Sequence, residues 1–412
     1  MKKASIVSIG NELLSGQTID TNAAYISGKL LSINLPVVSS YTIGDDEDAI
    51  IRAFSLACSD ADVVIATGGL GPTDDDLTRQ AFAKFLGVEL QLQEGLLQKI
   101  WVFFASRNLQ MPDKNSVQAY IPTCAEAIAN NLGTAPGIMA EVRGKLLIAL
   151  PGVPSEMKPM LDESVLPPLQ RFAGGQAVIV RKLKCFGAGE SAIAEMLGNM
   201  MQRGRNPLIN CTVQYGVVTL HIIATATDKD KARQMAENDE KTLRNILRKL
   251  VYGTGDQTLA EVVGEKLAQR GKTLAVAESC TGGTLAKLLT DIPGASRYFT
   301  YGWVTYNNQA KETELGVPTD LIDKYGAVSE QVAAAMAQGA RRKAGTDFAI
   351  GITGIAGPAG GSEQKPVGLV YISVDSENGC RTERYIFSHD RSFIRLRTAQ
   401  TALNMLRLLI DI

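Results

Sequence analysis

Residues 61–69, ADVVIATGG, form an almost unbroken apolar run that ends on two glycines and passes through LGPTDDD into the helical pattern LTRQAFAKFLGV. A short apolar run without alternation suits a strand covered on both faces, the situation of a parallel sheet flanked by helices. The same grammar surrounds it. SIVSIG (5–10) and PVVSSYTIG (36–44) read as strands, NAAYISGKLL (22–31) and EDAIIRAFSLAC (47–58) as helices, and KLLIALPG (145–152) as a later strand. Residues 1 to 170 are therefore expected to form a doubly wound α/β domain.

From RFAGGQ (171–176) the pattern changes. A strand (AVIVRKLKCFG), a helix (ESAIAEMLGNM), two strands sharing Tyr215-Gly216 as a turn, and a charged helix from Asp228 to Leu250 predict a small α+β module over 171–252. Acids interleave the bases of that helix, as on a solvated face. YGTGDQT (252–258) reads as a linker. Beyond it, alternating helices and strands predict a second α/β domain over 256–412, so the fold class is two α/β domains joined by an α+β module.

Charge narrows the function. Forty-two Lys and Arg against 43 Asp and Glu leave a net charge of −1, which removes any global electrostatic case for nucleic acid. Six cysteines without a C-x-x-C pair read as reduced thiols of a cytoplasmic protein. With two histidines a His-rich zinc site cannot be assembled, so a catalytic divalent metal would sit on oxygens. No membrane span is expected.

TGGLGPTDDDLT (67–78) joins strand to helix, and such loops receive anions on backbone N–H groups, here those of Gly68, Gly69, Gly71 and Thr73. The aspartates Asp74, Asp75 and Asp76 would repel a bare phosphate, so they suit a phosphate bridged by a hard cation; alternatively they cap the helix. GNELLSGQTIDTN (10–22), with Asn11, Glu12, Asp20 and Asn22, and LPGVPSEM (150–157), with Gly152 and Glu156, belong to the same sheet edge.

In AVAESCTGGTLAKLL (275–289), Ser279 stands between a strand end and a helix start, with the N–H groups of Thr281, Gly282 and Gly283 placed for an oxyanion. No G-x-S-x-G elbow is present, and VTYNNQAK (304–311) offers Tyr306 and Lys311 as partners in place of histidine. The plainer readings are a capping serine and a surface lysine. Cys280 competes as nucleophile, although neighbours on an extended segment point opposite ways. GITGIAGPAGGSEQKP (351–366), containing Thr353, Gly354 and Gly357, is a second Gly-rich loop suited to phosphate or ribose, or simply a mobile loop.

GNELLSGQ, TGGLGPTDDDLT, NNLGTAPG and LPGVPSEM resemble the N-terminal half of the CinA proteins, itself similar to molybdopterin-binding domains. AESCTGG, VTYNNQAK, GAVSEQVAAAMA and GITGIAGPAGG resemble the C-terminal CinA domain, so the resemblance spans essentially the whole chain. It implies nicotinamide mononucleotide deamidation without a cofactor, with Ser279 as reaction centre, Lys311 and Tyr306 as activating partners, and Thr353 and Gly354 in the site wall. Arg391, in SHDRSFIR, becomes a candidate phosphate contact, with His389 where the family usually has glycine. For the N-terminal domain it implies ADP-ribose pyrophosphatase activity with Mg²⁺, Mn²⁺ or Co²⁺ on Asp75 and Asp76. A homodimer is expected. The competing readings are a non-catalytic pterin- or nucleotide-binding domain and a DNA-uptake or repair accessory.

Overall fold

The computed structural model describes residues 2–410. The chain folds as two compact units, Met1–Ile179 with Ala224–Met235, and Val180–Ile223 with Ala236–Ile412.

The first unit is built on a six-stranded sheet in the order Val37–Ile43, Ala4–Ile9, Val63–Thr67, Lys145–Leu150, Gly137–Val142, Glu126–Ile128. The first four strands are parallel. Alternation decides the faces: Val7, Ile9, Val64 and Ala66 point to a core with Ile50, Phe54 and Phe82, whereas Ile6, Val63 and Ile65 point to one with Ile26, Leu30, Met157 and Leu161. Helices therefore cover both faces, as the continuous apolar run requires. Helices Thr21–Ser32 and Glu47–Asp60 start on Asp20 and Asp46, whose carboxylates accept the amides of Ala23 and Ala49. Two antiparallel strands extend the sheet beyond the predicted elements. They pair from Val142–Lys145 outward, across a turn in which Arg143 and Gly144 both take positive φ.

A second sheet, ordered Leu208–Gln214, Val217–Ala226, Ala177–Cys185, Val251–Thr254, contains the predicted hairpin. Gln214 pairs with Val217 across Tyr215 (φ 48°) and Gly216 (φ 77°), the geometry of a two-residue hairpin turn. The predicted linker at 252–258 is corrected. Val251–Thr254 is a strand, because its backbone finds antiparallel partners at Leu183, Lys184 and Cys185 that composition does not reveal.

The third sheet runs Phe299–Val304, Leu274–Glu278, Phe348–Gly354, Leu369–Ser376, Gly379–Ile386, the first three parallel and the last two antiparallel. Leu274 and Val276 face a core with Val262, Leu267 and Leu403, and Ala275 and Ala277 face one with Val332 and Met336. Helix Glu330–Ala344 lies unusually close to its strand: a Cβ on Gly351 would sit 2.4 Å from the Ala333 carbonyl oxygen and 2.6 Å from the Ala337 nitrogen. Gly351→Ala is thus expected to push that helix off the sheet, costing about 1–3 kcal/mol and lowering the unfolding midpoint by roughly 5 °C in a thermal melt.

Candidate functional site

Strand Leu274–Glu278 ends beneath a tight loop, Ser279–Gly283, that feeds helix Thr284–Thr290. The helix has no side-chain cap at Gly283. Its first turn is held instead by Glu278, which is 1% exposed and accepts the amides of Gly283 (3.0 Å), Leu285 (3.1 Å) and Ala286 (2.8 Å). A carboxylate taking amides at a helix N-terminus both satisfies orphan donors and meets the positive end of the helix dipole. Gly282 (φ 56°) and Gly283 (φ 91°) supply the left-handed backbone that brings those amides back over the strand end.

With the cap assigned to Glu278, Ser279 is left to do something else. Its Oγ lies 3.2 Å from Lys311 Nζ, and Lys311 is 1% exposed. Helix Asn308–Leu315 carries this lysine on its first full turn and is capped by Asn307, whose side chain accepts the Ala310 amide. Lys311 Nζ also donates to the carbonyls of Thr305 (2.9 Å) and Asn307 (3.4 Å). Burial holds its pKa below the ordinary lysine range, against an opposing pull from Cys280. A neutral amine has two N–H donors and one lone pair. Two carbonyls and the Ser279 hydroxyl match that set when the hydroxyl donates, and equally match the three N–H donors of the ammonium when it accepts.

Other predicted residues take different places. The amide of Gly282 is bonded to the Ser279 carbonyl and that of Gly283 to Glu278, so neither is available for an oxyanion as expected; the cause is the capping requirement of the helix. Thr281 remains beside Ser279, fully buried, with its hydroxyl unpartnered. Tyr306 is not a hydrogen-bond partner of Ser279 or Lys311. It is 60% exposed and accepts from Arg391 at 2.9 Å, while Arg391 also donates to the Gly357 carbonyl at 2.9 Å, tying two loops at the rim. Thr353 is buried and donates to the Ala327 carbonyl, and Gly354 has no room for a side chain against the Leu369 carbonyl. Cys280 is buried, its thiol pushed up to about 12 chiefly by desolvation, which leaves it a poor nucleophile. His389 takes φ 92°, the conformation a glycine would adopt, and packs edge-on against Phe393 with ring centroids 4.6 Å apart. Arg395, not anticipated, clamps the loop by donating twice to the Thr281 carbonyl, at 3.0 and 2.7 Å.

In the first unit, a cavity of about 500 Å³ collects residues from the three predicted loops and from the NNLGTAPG motif, among them Glu12, Gly68, Gly69, Gly71, Thr134 and Glu156. Close approach at its floor demands glycine: a Cβ on Gly68 (φ 108°) would lie 2.1 Å from the Ile9 carbonyl oxygen. Asp76 is not a helix cap. Helix Thr78–Leu86 has Leu77 at that position, and Asp76 accepts the amides of Gly71 and Thr73, both at 2.8 Å, and the Thr73 hydroxyl. The carboxylate therefore clasps its own loop. Asp74 is exposed and pairs with Lys114, while Asp75 lines the cavity, its pKa lowered by the Thr73 side chain. Arg79, buried, locks the loop from below through the carbonyls of Leu70 (2.6 Å) and Gly71 (3.0 Å).

These residues offer a hard cation only oxygen donors, which fits Mg²⁺ or Mn²⁺. Asp75, Glu12, Asp45 and Glu156 share the cavity, but no three acidic, histidine or cysteine side chains among the described residues are gathered closely enough to hold an ion unaided. Asp45 and Glu156 are themselves engaged, by the Asn11 amide and by Asn130. An ion here would take much of its coordination from ligand phosphate and water, with Asp75 the better placed of the two predicted aspartates.

Residues 256–410 match a model described as "CinA C-terminal domain", residues 180–253 one described as "Damage-inducible protein CinA KH domain", and residues 5–171 one described as "Probable molybdopterin binding domain". A "CinA-like protein" of Dictyoglomus thermophilum is 42% identical over 405 residues, covering 98% of either chain. Another of that description, from Kosmotoga olearia, is 41% identical over 406 residues, again with 98% of each chain covered. Among solved structures, a competence/damage inducible protein from Agrobacterium tumefaciens is 42% identical over 37% of this chain and 94% of that one, with a TM-score of 0.37.

The Glu278 clasp has a measurable weight. Glu278→Ala leaves three amides without their acceptor, and at about 1–3 kcal/mol for an unsatisfied buried group the loss in denaturant unfolding should reach roughly 3 kcal/mol, whereas Ser279→Ala should stay within about 1 kcal/mol.

Proposed function

Because this chain belongs to the CinA family along its whole length, we propose that it is a two-site hydrolase of pyridine nucleotides. Its second unit would convert nicotinamide mononucleotide to nicotinic acid mononucleotide and ammonia. The observation that carries this reading is the 3.2 Å approach of a buried lysine amine to the Ser279 hydroxyl.

The chemistry follows from that pair. Lys311, as the neutral amine, takes the serine proton while Ser279 Oγ bonds to the carboxamide carbon. The resulting ammonium returns the proton to the departing nitrogen, the C–N bond breaks, and ammonia leaves an ester on Ser279. Water then attacks this ester, Lys311 again accepting a proton, and the carboxylic acid departs with the serine restored. The carbonyls of Thr305 and Asn307 hold the amine in register throughout. Arg391, which ties Gly357 to Tyr306, together with the loop that begins at Gly354, would take the ribose phosphate.

The first unit would hydrolyse the pyrophosphate of ADP-ribose to AMP and ribose 5-phosphate. A divalent ion, when bound by Asp75 with ligand phosphate, would supply charge neutralisation at the reacting phosphorus. The chain's own contribution is the rigid glycine loop, fixed by Asp76 and Arg79; the predicted amides of Gly68, Gly71 and Thr73 are already bonded, to the Leu150 carbonyl and to Asp76, so the loop would serve through the close approach that its glycines permit. A second reading, a domain that binds a nucleotide or pterin without turnover, is favoured by the engagement of Asp76 in its own loop.

Ammonia release from nicotinamide mononucleotide should fall at least about a thousandfold in both Ser279→Ala and Lys311→Met, the cost of removing a catalytic nucleophile or base. Full activity in either variant removes the mechanism. A base must be unprotonated, so kcat/KM should rise with pH through the lowered Lys311 pKa and decline as pH falls below it, with a midpoint under the ordinary lysine value of about 10.4. Lys311→Arg, protonated at every accessible pH, should show no such rise. For the first unit, chelation should abolish ADP-ribose cleavage and Asp75→Asn should reduce it strongly; saturable binding with no turnover at any metal concentration would select the binding-only reading.

A further inference from the structure

Helix Glu94–Ala105, EGLLQKIWVFFA, is apolar along most of its length, yet only Ile100 of its residues is buried. Between this helix and residues 129–136 lies a groove of about 290 Å³, next to the 500 Å³ cavity of the first unit. Leu96, Ile100, Phe103 and Pro136 supply its apolar lining. Arg107 lies 3.5 Å from the centroid of the Phe103 ring but does not line the groove, so the ring meets it by its other face or its edge.

The polar side chains of the groove are not equivalent. Asn130 is spent: its Nδ2 donates to the Ala135 carbonyl (2.9 Å) and to Glu156 (2.7 Å), and its Oδ1 accepts the amides of Leu132 (3.1 Å) and Gly133 (2.9 Å). These bonds fold residues 130–135 into a turn against Glu156, so closely that a Cβ on Gly133 would sit 2.0 Å from Glu156 Oε2. Thr134, within that turn, lines the groove and the cavity alike. Lys99 and Asn131 are exposed, so an ammonium and a carboxamide remain available to a ligand.

We infer that this groove seats the base of a nucleotide whose phosphates occupy the adjoining cavity. The inference rests on the reading of that cavity as a nucleotide site, and it holds whether the first unit hydrolyses its ligand or only binds it. A ligand that crosses Thr134 needs a charged end for the polar cavity and a planar, apolar end for the groove; a nucleotide has both. Against Leu96, Ile100 and Pro136 the base withdraws apolar surface from water, and against Phe103 it gains stacking. Its polar edge is matched by Asn131, because a carboxamide pairs with the N6 and N7 positions of adenine. Lys99, the charged residue of the lining, opposes the phosphate charge.

AMP and ribose 5-phosphate share a ribose and a phosphate but not a base, so hydrogen exchange of the full chain with each, Mn²⁺ present, separates the two subsites. AMP should slow exchange in segments 67–78, 96–104 and 129–136, and ribose 5-phosphate in 67–78 only. Ala129→Trp fills the groove from an exposed position, and Phe103→Ala removes the stacking ring. In each variant the AMP concentration that half-protects 67–78 should rise at least about tenfold, the worth of one stacked base, while that for ribose 5-phosphate stays within about twofold. If AMP protects 67–78 but neither groove segment, and both variants keep the wild-type values, the base lies elsewhere: this inference falls and the nucleotide reading stands. Equal weakening of the two compounds in both variants also overturns it. If neither compound protects 67–78, the nucleotide reading of the first unit fails and the groove assignment goes with it.

Discussion

One amine, taken out of water and held against a hydroxyl, is the arrangement around which the loops of the second unit's candidate site are organised. An isolated ammonium in such a place is expensive, and the structure lowers that cost by giving Lys311 three acceptors, the carbonyls of Thr305 and Asn307 and the Ser279 hydroxyl. Those contacts in turn require Thr305, Asn307 and Ser279 to be fixed to well under an ångström. Three devices provide this: the Asn307 cap on the lysine helix, the Glu278 carboxylate under the serine loop, and the Arg395 guanidinium on its carbonyl. Each satisfies a backbone group that would otherwise be orphaned, so stability and positioning come from the same bonds.

The first unit uses a related economy with opposite charge. Asp76 and Arg79 spend their polar atoms on the backbone of the 68–73 loop, taking the amides of Gly71 and Thr73 and the carbonyls of Leu70 and Gly71, and leave Asp75 beside the cavity. Preorganisation of this kind avoids having to order the loop at the moment of binding. It also explains why three consecutive aspartates are not three equivalent ones: Asp74 meets Lys114 at the surface, whereas Asp75 and Asp76 both border the cavity, Asp76 with its carboxylate spent on the amides of Gly71 and Thr73.

Much of this was legible in the residues. Strand and helix positions, the Tyr215-Gly216 turn, and the pairing of Ser279 with Lys311 as candidates all follow from periodicity and motif. What escaped depends on where hydrogen bonds go. Gly282 and Gly283 looked like oxyanion donors because a glycine loop before a helix offers amides, but spacing does not tell that Glu278, one residue before the serine, consumes one of them and the loop turn the other. Tyr306 stood in the right motif, yet one residue beyond Thr305 its side chain emerges at the rim beside Arg391. Residues 252–258 looked like a linker, yet 252–254 belong to a strand, whose identity comes from a partner some seventy positions earlier.

The amino-acid order alone determined the α/β architecture with both sheet faces covered, since uninterrupted apolar strands between amphipathic helices admit few other ways to bury their surface, and it determined which loops carry reactive side chains. Tertiary structure alone decided which of those side chains meet, which are consumed by the backbone, and that Lys311 is buried rather than solvated. The physical reason is that hydrophobic periodicity is a local property of the chain, whereas desolvation and the completion of hydrogen bonds are settled by residues brought together from distant positions.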